Sequence, residues 1–558
     1  MDRRTLLAMV LSLGIYYGWL WLHPPKPPEE LAPEPAPVPA AAPAPAVVSA
    51  PAGPTPELVT LPFTFCGTDG KLSTDGGRLH DLTITGSTGP YHVKPLYQWL
   101  IGFATGSSET PWLPYGPDPG AAVALGEHAT GLATGAGPLQ ERVPMRVESQ
   151  SAGRIELVGT SGAGVEIHKV FTERRLEGSC AIDVAVTYTN RGTAPFTGET
   201  WLVVGDHVTK AASRYESQRE PVALVDGDLT YGGPQGAGCV RQGTAVSDEA
   251  PRLALDGPVS WFGLSDRYFG FYVVAPPDPS ARARFERLGS GEEAVDGAVY
   301  GWSDALAAGA SRAASFHVYV GPNNATALEQ VDPSLSQAID LGFWAFFGWP
   351  LLWLLRRFHG LLGNWGLSII SLTFLVKLVF FPLTQWSFVA AQKMQQIQPE
   401  LAKLKEQYAD NPTELNQKTM QLMSERKVNP LSGCLPMLLQ MPVWIALNQV
   451  MLSSVDLYHT EFLYLKDLSS ADPYLVLPFA IMGLMWLQQQ LTNMATLDPA
   501  QQQVMKYMPF IFGLMFFAFP SGLAVYVFVN MTLSIAQQWI IKRTYGGPGG
   551  LPATMPLG

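Results

Sequence analysis

One charged residue, Lys377, lies in the interior of an apolar stretch, within the run SLTFLVKLVFFPLT. A basic side chain at the centre of a bilayer costs about 2.5 to 3.5 kcal/mol on insertion scales, so it must face water, a partner or a substrate. The alternative is that the lysine extends to the nearer membrane surface, because Thr384 is only about 10 Å of helix rise further on. The bulky Phe380, Phe381 and Leu383 stand in that path, which favours a hydrated site around Lys377.

Polar side chains within the apolar stretches are candidates to line such a site. Their amides and hydroxyls also make ordinary contacts between membrane helices, so none of them identifies a site by itself. The residues of this kind are Ser371, Thr373, Gln440, Asn448, Gln449, Gln488 and Asn530. We predict a cationic, partly hydrated binding site in which Lys377 is accompanied by Thr373 and Gln440.

The same stretches contain no Asp, Glu or His. Ion-coupled transporters usually place such groups near the membrane midplane, and a membrane protease needs a nucleophile with a base or zinc ligands, so both classes are disfavoured. The chain has no P-loop or dinucleotide fingerprint, and its four cysteines include no C-x-x-C pair. We therefore expect no enzymatic activity, no cofactor and no zinc site.

The composition excludes a disordered chain and argues against an ordinary cytosolic enzyme. Charged residues make up 15% of the 558 residues, against a usual share of about 25%, and the mean hydropathy is +0.10. Residues 1–340 contain 23 basic and 37 acidic residues, whereas residues 341–558 contain 13 basic and 10 acidic residues. The formal net charges of the two parts are therefore −14 and +3. Neither part has the basic footprint of a nucleic-acid-binding protein.

Six apolar stretches predict six membrane spans. Residues 1–23 predict an uncleaved N-terminal anchor, because two arginines precede the apolar run and no A-x-A site ends it, as a signal peptide would require. The other five stretches are 364–384, 434–455, 474–491, 504–519 and 522–541. Segment 331–363 is apolar but contains Pro350, Arg356 and Arg357, which favours an amphipathic helix lying along the membrane surface.

Loop charges predict the orientation of these spans. Segment 385–433 holds six basic residues, whereas loop 456–473 holds one, Lys466. By the positive-inside rule the first segment is cytosolic and the second is outside. Both chain termini, including the tail 542–558, are then cytosolic, and the soluble segment after the anchor lies on the other side of the membrane, which in a bacterium is the periplasm.

The segment between the anchor and the second span has two parts. Residues 24–58 are almost all Pro, Ala, Val and Glu, which is typical of a semi-rigid linker. Residues 59–330 alternate apolar and polar positions, as at Ile182, Val184 and Val186, and predict an all-β sandwich domain. One disulfide can form in this domain, and all three pairings stay open among Cys66, Cys180 and Cys239.

The cytosolic segment 385–433 has a helical pattern of its own. Apolar residues recur at steps of three and four, and a weaker stripe follows the turn Asp410-Asn411-Pro412; the first stripe is Met394, Ile397, Leu401, Leu404 and Tyr408. We predict two antiparallel helices. Their stripes either pack on each other or form a docking surface for a nascent chain or a partner.

Three long motifs occur in a fixed order in the C-terminal part of the chain: GNWGLSIISLTFLVKLVFFPLT, NPLSGCLPMLLQMPVWIAL and FPSGLAVYVFVN. They resemble the YidC membrane protein insertases of Gram-negative bacteria, within the wider Oxa and Alb3 group. The resemblance covers about residues 340–543 and is weaker over the β domain, where the stretch VSWFGLSDRYFGFYVV looks like the family.

The resemblance implies a multidomain protein with a five-helix core, 364–541, that inserts and helps fold other inner-membrane proteins, alone or beside the Sec translocon. In the family an intramembrane arginine faces a hydrophilic groove, and Lys377 lies at the matching position. The family's substrate-contacting positions correspond to Thr373, Met441, Trp444, Met515 and Tyr526.

The implied partners are nascent membrane-protein clients, the Sec translocon, the ribosome and the lipid bilayer. The tail ends in GGPGGLPATMPLG without the basic extension that some family members use at the ribosome, which puts ribosome contact through the tail in doubt. Two other functions stay open: a structural scaffold associated with the Sec translocon, and a transporter of small anions that uses Lys377.

Overall fold

The computed structural model describes residues 58–88, 122–125, 130–139, 142–177, 179–207, 220–232, 251–288, 295–302, 305–408, 411–426, 435–491, 499–517 and 519–545. The predicted N-terminal anchor and nearly all of the predicted linker lie outside these residues. So do Cys239, Cys434 and most of the tail.

The β domain consists of antiparallel strands. Those in the described residues are β1 Thr60–Phe65, β2 Thr68–Ser73, β3 Arg78–Thr88, β4 Ala122–Leu125, β5 Thr130–Ala136, β6 Met145–Ser151, β7 Arg154–Thr160, β8 Val165–Leu176, β9 Ser179–Asn190, β10 Phe196–Thr197, β11 Thr200–His207, β12 Glu220–Val225, β13 Asp228–Tyr231, β14 Arg252–Leu255, β15 Val259–Ser265, β16 Phe269–Val274, β17 Ala281–Leu288, β18 Val295–Trp302, β19 Ala305–Leu306 and β20 Ser311–Pro322.

Two large sheets pack face to face. One has the order β1-β2-β3-β5-β11-β18-β17-β14, with β4 paired to β3, and the other has the order β13-β12-β15-β16-β20-β9-β8-β7-β6. Apolar side chains of both sheets form one buried cluster, which includes Val204 and Tyr300 from the first sheet and Val184 and Phe262 from the second. The predicted β-rich domain is confirmed.

A disulfide joins Cys66 to Cys180 and resolves the pairing that the sequence left open. Cys66 directly follows β1 in the first sheet, and Cys180 lies in β9 of the second sheet. The bond therefore links the two sheets across 114 residues of chain.

Lys169 is buried between the sheets because the alternation of β8 places it on the inner face with Ile167 and Phe171. Its ammonium donates hydrogen bonds to the backbone carbonyls of Gly77 and Leu132, and it lies 5.1 Å from the centre of the Phe171 ring. Burial without a carboxylate partner among the described residues holds the pKa of Lys169 well below its usual value.

The C-terminal part is helical. The helices in the described residues are α1 Ala325–Val331, α2 Ala345–Leu362, α3 Trp365–Gln396, α4 Gln398–Gln407, α5 Pro412–Glu425, α6 Leu435–Ser453, α7 Val476–Leu491, α8 Pro499–Met515 and α9 Ser521–Tyr545. Helical turns at Pro333–Ala338 and Gly342–Trp344 separate α1 from α2, so the continuous helix of the predicted segment 331–363 begins only at Ala345.

Each of the five predicted C-terminal stretches overlaps a helix, namely α3, α6, α7, α8 and α9. By length and composition, Trp365–Pro382 in α3 and Ser521–Ile540 in α9 are candidate membrane spans, and Met441–Ser453 is a shorter apolar helix. Helix α8 differs from the predicted stretch 504–519, since it begins at Pro499 and ends at Met515. It ends early because Phe516 and Phe517 donate their amides to the carbonyls of Gly513 and Leu514 in tight turns.

The starts of two helices and the loop between α6 and α7 meet at one end of the helical bundle. The amides of Ser521 and Gly522, which open α9, donate to the carbonyls of Ser470 and Leu468 in the loop between α6 and α7. Phe462 of the same loop packs against Gly366 at the start of α3, where an added Cβ would lie 2.1 Å from the phenyl ring. The starts of α3 and α9 therefore lie at the end of the bundle that carries the α6–α7 loop.

Helices α4 and α5 pack on each other through their apolar stripes. Ile397 and Leu401 are buried against Leu422 and Met423, and Arg426 pairs with Glu400 at 2.7 Å. This packing occupies part of both stripes, as the simpler of the two interpretations predicts.

Candidate functional site

Lys377 lies on α3 where that helix contacts α9. Its side chain is half-buried, and its ammonium donates a hydrogen bond of 2.7 Å to the hydroxyl of Ser534. The Ser534 hydroxyl in turn donates to the Asn530 carbonyl one helical turn earlier, at 2.8 Å. Lys377 is therefore held against α9, and the cation has a polar partner but no carboxylate among the described residues.

A second polar contact joins α3 and α9 further along both helices. The amide of Gln537 donates to the Thr384 hydroxyl at 3.0 Å. From Lys377 to Thr384 the contact on α9 moves forward from Ser534 to Gln537. The two helices therefore run in the same direction along their polar seam.

Thr373 and Tyr526 are buried in the bundle rather than open to solvent. Each is 1% exposed. The Thr373 hydroxyl donates to the Ile369 carbonyl of its own helix at 2.7 Å, and the Tyr526 hydroxyl is buried with no hydrogen-bond partner among the described residues. In this arrangement a substrate reaches either hydroxyl only after the helices separate.

Met441 and Trp444 lie on α6. Met441 is 46% exposed, whereas Trp444 is half-buried and packs against the apolar cluster of the bundle. The predicted site residues Gln440 and Met515 belong to α6 and α8, but their side chains lie outside those that the structure describes. Of the predicted site residues whose side chains are described, the structure places Lys377 against α9, buries Thr373 and Tyr526, and leaves Met441 exposed.

Ser534, Gln537 and Thr384 form the polar contacts between α3 and α9, and the sequence reasoning did not include them among the candidate site residues. A signal was present, because Asn530, Ser534 and Gln537 recur at steps of four and three, which places them on one face of α9. Gln449, one of the polar residues for which the sequence leaves open a hydrated site or an ordinary contact between helices, donates its amide to the Asp340 carbonyl at 3.3 Å and to Ser453. It therefore fastens the segment before α2 to the end of α6.

The face of α3 that carries Phe374, Leu378 and Phe381 is 46% to 59% exposed. These residues are spaced four and three apart, so they form one apolar stripe.

Lys506, near the start of α8, is exposed, unlike the half-buried Lys377.

Asp456 in the α6–α7 loop joins three parts of the chain. Its carboxylate, 10% exposed, accepts from Arg356 of α2 at 2.7 Å and from the amide of Asn324 at 2.9 Å. Asn324 follows the last strand of the β domain and caps α1 through its side-chain oxygen. Tyr458 extends this junction, since its ring lies 5.0 Å from that of Tyr268 in the β domain.

Two buried aspartates fix the rest of the α6–α7 loop. Asp467, 1% exposed, accepts the amides of His459 and Ser469 through Oδ1, at 3.0 and 2.8 Å. Burial raises the pKa of this carboxyl, and its backbone carbonyl accepts the Ser521 hydroxyl at 2.8 Å. Asp472, also 1% exposed, accepts the Tyr464 hydroxyl at 2.8 Å.

Two clusters of potential metal ligands occur in the described residues. The first consists of the disulfide-bonded Cys66 and Cys180 beside Glu173, whose two sulfurs are not available as thiolates. The second consists of Glu148, Glu156 and His168, but His168 already contacts Glu148 at 3.1 Å and Arg154 binds Glu156. Neither supports a metal site.

Comparison with known proteins identifies the family to which this chain belongs. A family model described as "60Kd inner membrane protein" matches residues 357–547, and one described as "YidC periplasmic domain" matches residues 140–354. The membrane protein insertase YidC of Dechloromonas aromatica is 36% identical over 405 residues, which cover 71% of each chain. That of Cupriavidus taiwanensis is 35% identical over 415 residues, 72% of this chain and 70% of the relative.

A crystal structure of an active YidC insertase with its first transmembrane domain resolved is 16% identical, with a TM-score of 0.35, and the match covers 86% of this chain and 93% of that one. The sequence relatives alone are sufficient to assign the family, because their identity extends over more than two thirds of both chains. The chain belongs to the YidC family of membrane protein insertases.

Proposed function

We propose that this protein inserts membrane proteins into the bacterial inner membrane and assists their folding. The observation that carries the proposal is the position of Lys377, a cation in the interior of the apolar helix α3, half-buried and hydrogen-bonded to Ser534. A cation retained at this depth is costly unless it acts on something polar that enters the membrane. The names of the relatives, membrane protein insertase, support this reading.

The proposed topology has six spans, with the β domain and the α6–α7 loop in the periplasm and both termini in the cytosol. The parallel direction of α3 and α9 supports it, because three intervening spans return the chain to the same side. The contacts of the α6–α7 loop with the starts of α3 and α9 support it too. The basic segment 385–433 leaves the opposite end of α3, in agreement with the positive-inside rule.

In the proposed mechanism, Lys377 attracts the acidic or polar tail of a client into a hydrated groove that opens to the cytosol and to lipid. The groove shortens the low-dielectric path that the tail must cross. The client's apolar segment then moves along exposed surfaces of α6 and α8, including Met441, into lipid. The transfer is driven by the client's own burial of apolar surface, at about 25 cal/mol per Å², and forms no covalent intermediate.

Thr373 and Tyr526 take part only when α3 and α9 move apart. Both side chains are 1% exposed, and the buried Tyr526 hydroxyl is left without a partner among the described residues. An unsatisfied buried hydroxyl costs about 1 to 3 kcal/mol, so opening that hydrates it is made easier by that amount. We assign Gln440, Trp444 and Met515 to the same client path, on the family's pattern for the last two.

The proposed partners are nascent clients, lipid, the Sec translocon and the ribosome. The exposed apolar stripe of α3 at Phe374, Leu378 and Phe381 supports direct contact with lipid. Contact with Sec or the ribosome rests on the family likeness alone.

Reconstitution of the purified chain in liposomes tests the proposal. A single-span client with an acidic tail, added without any other protein, is expected to become protease-protected, and Lys377→Met is expected to reduce that protection. If liposomes that contain the wild-type protein protect the client from protease only when the Sec translocon is also present, the result would favour a structural scaffold associated with Sec. A Lys377-dependent anion flux without client protection would favour a transporter.

A further inference from the structure

The α6–α7 loop contains a tight hairpin at residues 461–466. Phe462 and Leu465 exchange two backbone hydrogen bonds of 2.9 Å, which leaves Leu463 and Tyr464 at the tip. The side chains of Glu461 and Lys466 pair with each other at 3.2 Å. Tyr464 is held back against the loop by its hydrogen bond to Asp472, so Leu463 is the residue that projects.

Leu463 has a backbone conformation that disfavours leucine. Its φ is +55°, and its side chain is 84% exposed. Two-residue hairpin loops with a positive φ at the first central position normally have glycine there, because a Cβ is strained in that region. The leucine therefore introduces strain and buries little of its side chain within the described chain. Its apolar surface is available to a partner outside the chain.

The position of the hairpin identifies that partner. Phe462, next to Leu463, packs on Gly366, the second residue of α3 and the beginning of the candidate span Trp365–Pro382. On either side of Gly366 the chain exposes further leucines, with Leu361 at 81%, Leu362 at 44% and Leu367 at 44%. The hairpin tip thus continues the exposed apolar surface of a membrane-spanning helix.

We propose that Leu463 inserts into the outer leaflet of the bilayer and fixes the depth of the adjacent end of α3. This inference rests on the membrane placement and orientation given under the proposed function. Lipid is the occupant because the tip presents one apolar side chain beside the start of a span. Of the charged residues around the tip, Glu461 and Lys466 pair with each other, and Asp472, which binds Tyr464, is 1% exposed, so the exposed face of the tip carries no unpaired carboxylate from these three residues.

Fluorescence quenching in liposomes tests the contact. The full chain carries Cys239→Ser and Cys434→Ser, retains its disulfide, and bears an environment-sensitive probe on Leu463→Cys. A matched variant bears the probe on Met420→Cys, 74% exposed on α5. We expect lipids with a nitroxide near the headgroup to quench the probe at 463 by about twofold or more over the probe at 420, and a water-soluble quencher to act in the reverse order.

The outcomes separate this inference from the proposed function. Quenching at 463 by the soluble agent alone, in liposomes that still insert a client, overturns the lipid contact and leaves the function intact. Shielding from both quenchers that appears only with a client assigns the tip to clients and also overturns it. Loss of insertion by the unmodified chain contradicts the proposed function itself, and with it the placement of the hairpin.

A second variant tests the depth-fixing role without risk to the fold. Glycine tolerates the positive φ of position 463, so Leu463→Gly is expected to unfold in detergent at the same or a higher temperature than the wild type. In this variant a probe on Leu367→Cys, which lies in the first turn of α3 and is 44% exposed, should be quenched less by the nitroxide lipids. Unchanged quenching would show that Leu463 does not set the depth of this end of α3.

Discussion

Replacement of Asp456 by alanine is expected to uncouple the β domain, helix α2 and the α6–α7 loop. The carboxylate is 10% exposed, accepts one hydrogen bond of 2.7 Å from Nε of Arg356, whose side chain is 26% exposed, and one of 2.9 Å from Asn324, and its Oδ2 lies 2.7 Å from Nη2 of Arg356. Loss of one partner from a buried ion pair costs about 3 to 5 kcal/mol. Since water partly screens Arg356, we expect Asp456→Ala to lower the free energy of unfolding by about 2 to 3 kcal/mol.

A double-mutant cycle with Arg356→Gln isolates the pair. We expect a coupling energy of about 1 to 2 kcal/mol, measured by denaturant unfolding in detergent. The exposed pair of Glu461 and Lys466 in the same loop is the control, with an expected coupling below about 0.5 kcal/mol. Equal coupling in the two cycles would refute the claim that Asp456 is the junction of the three parts.

Three further predictions concern the bundle and the β domain. Ser534→Ala should slow insertion of clients with acidic tails by about threefold to tenfold, because Lys377 loses the hydroxyl that accepts its hydrogen bond. Ser534→Thr keeps a hydroxyl and should insert these clients at about the wild-type rate. Equal insertion rates in liposomes for the two variants would contradict this role of Ser534. The pKa of Lys169 is lowered in the folded state, so the unfolded chain binds more protons, and the free energy of unfolding rises with pH from that folded pKa up to about 10.5. The Tm of the wild type, compared with that of Lys169→Met, should therefore increase between neutral and alkaline pH. A Tm difference that stays constant with pH would contradict burial of the amine. Reduction of the disulfide across 114 residues should destabilise the β domain by up to about 5 kcal/mol, whereas a variant with serine at Cys66 and Cys180 should not respond to reductant.

The sequence was sufficient to predict the features that depend on local pattern. Long apolar stretches located α3, α6, α7 and α9, because apolar runs of this length favour helices over strands. Alternation in the β domain located strands such as β8 and β9, and it also places Lys169 on the inner face. Lys377 was identifiable because one charge in an apolar run has few explanations.

Features that depend on contacts between distant residues were not predictable. Nothing in the spacing of Cys66 and Cys180 distinguishes them from the other cysteine pairs of the β domain, and nothing near Lys377 indicates that Ser534 is its partner. The early end of α8 at Met515 depends on tight turns before Pro520, which hydrophobicity alone does not indicate. The buried state of Thr373 likewise follows from how α3 packs rather than from its position in a motif.

The most direct test of the account compares two matched clients, one with an acidic and one with a neutral translocated tail, in liposomes that contain only this protein. Insertion rates are measured for the wild type, Lys377→Arg, Lys377→Met and Lys377→Glu. The account predicts that arginine retains the rate, that methionine lowers it, and that glutamate lowers it most for the acidic tail, because a like charge repels that tail from the site. Insertion of the acidic-tailed client by Lys377→Glu at the wild-type rate would contradict the electrostatic role of this residue.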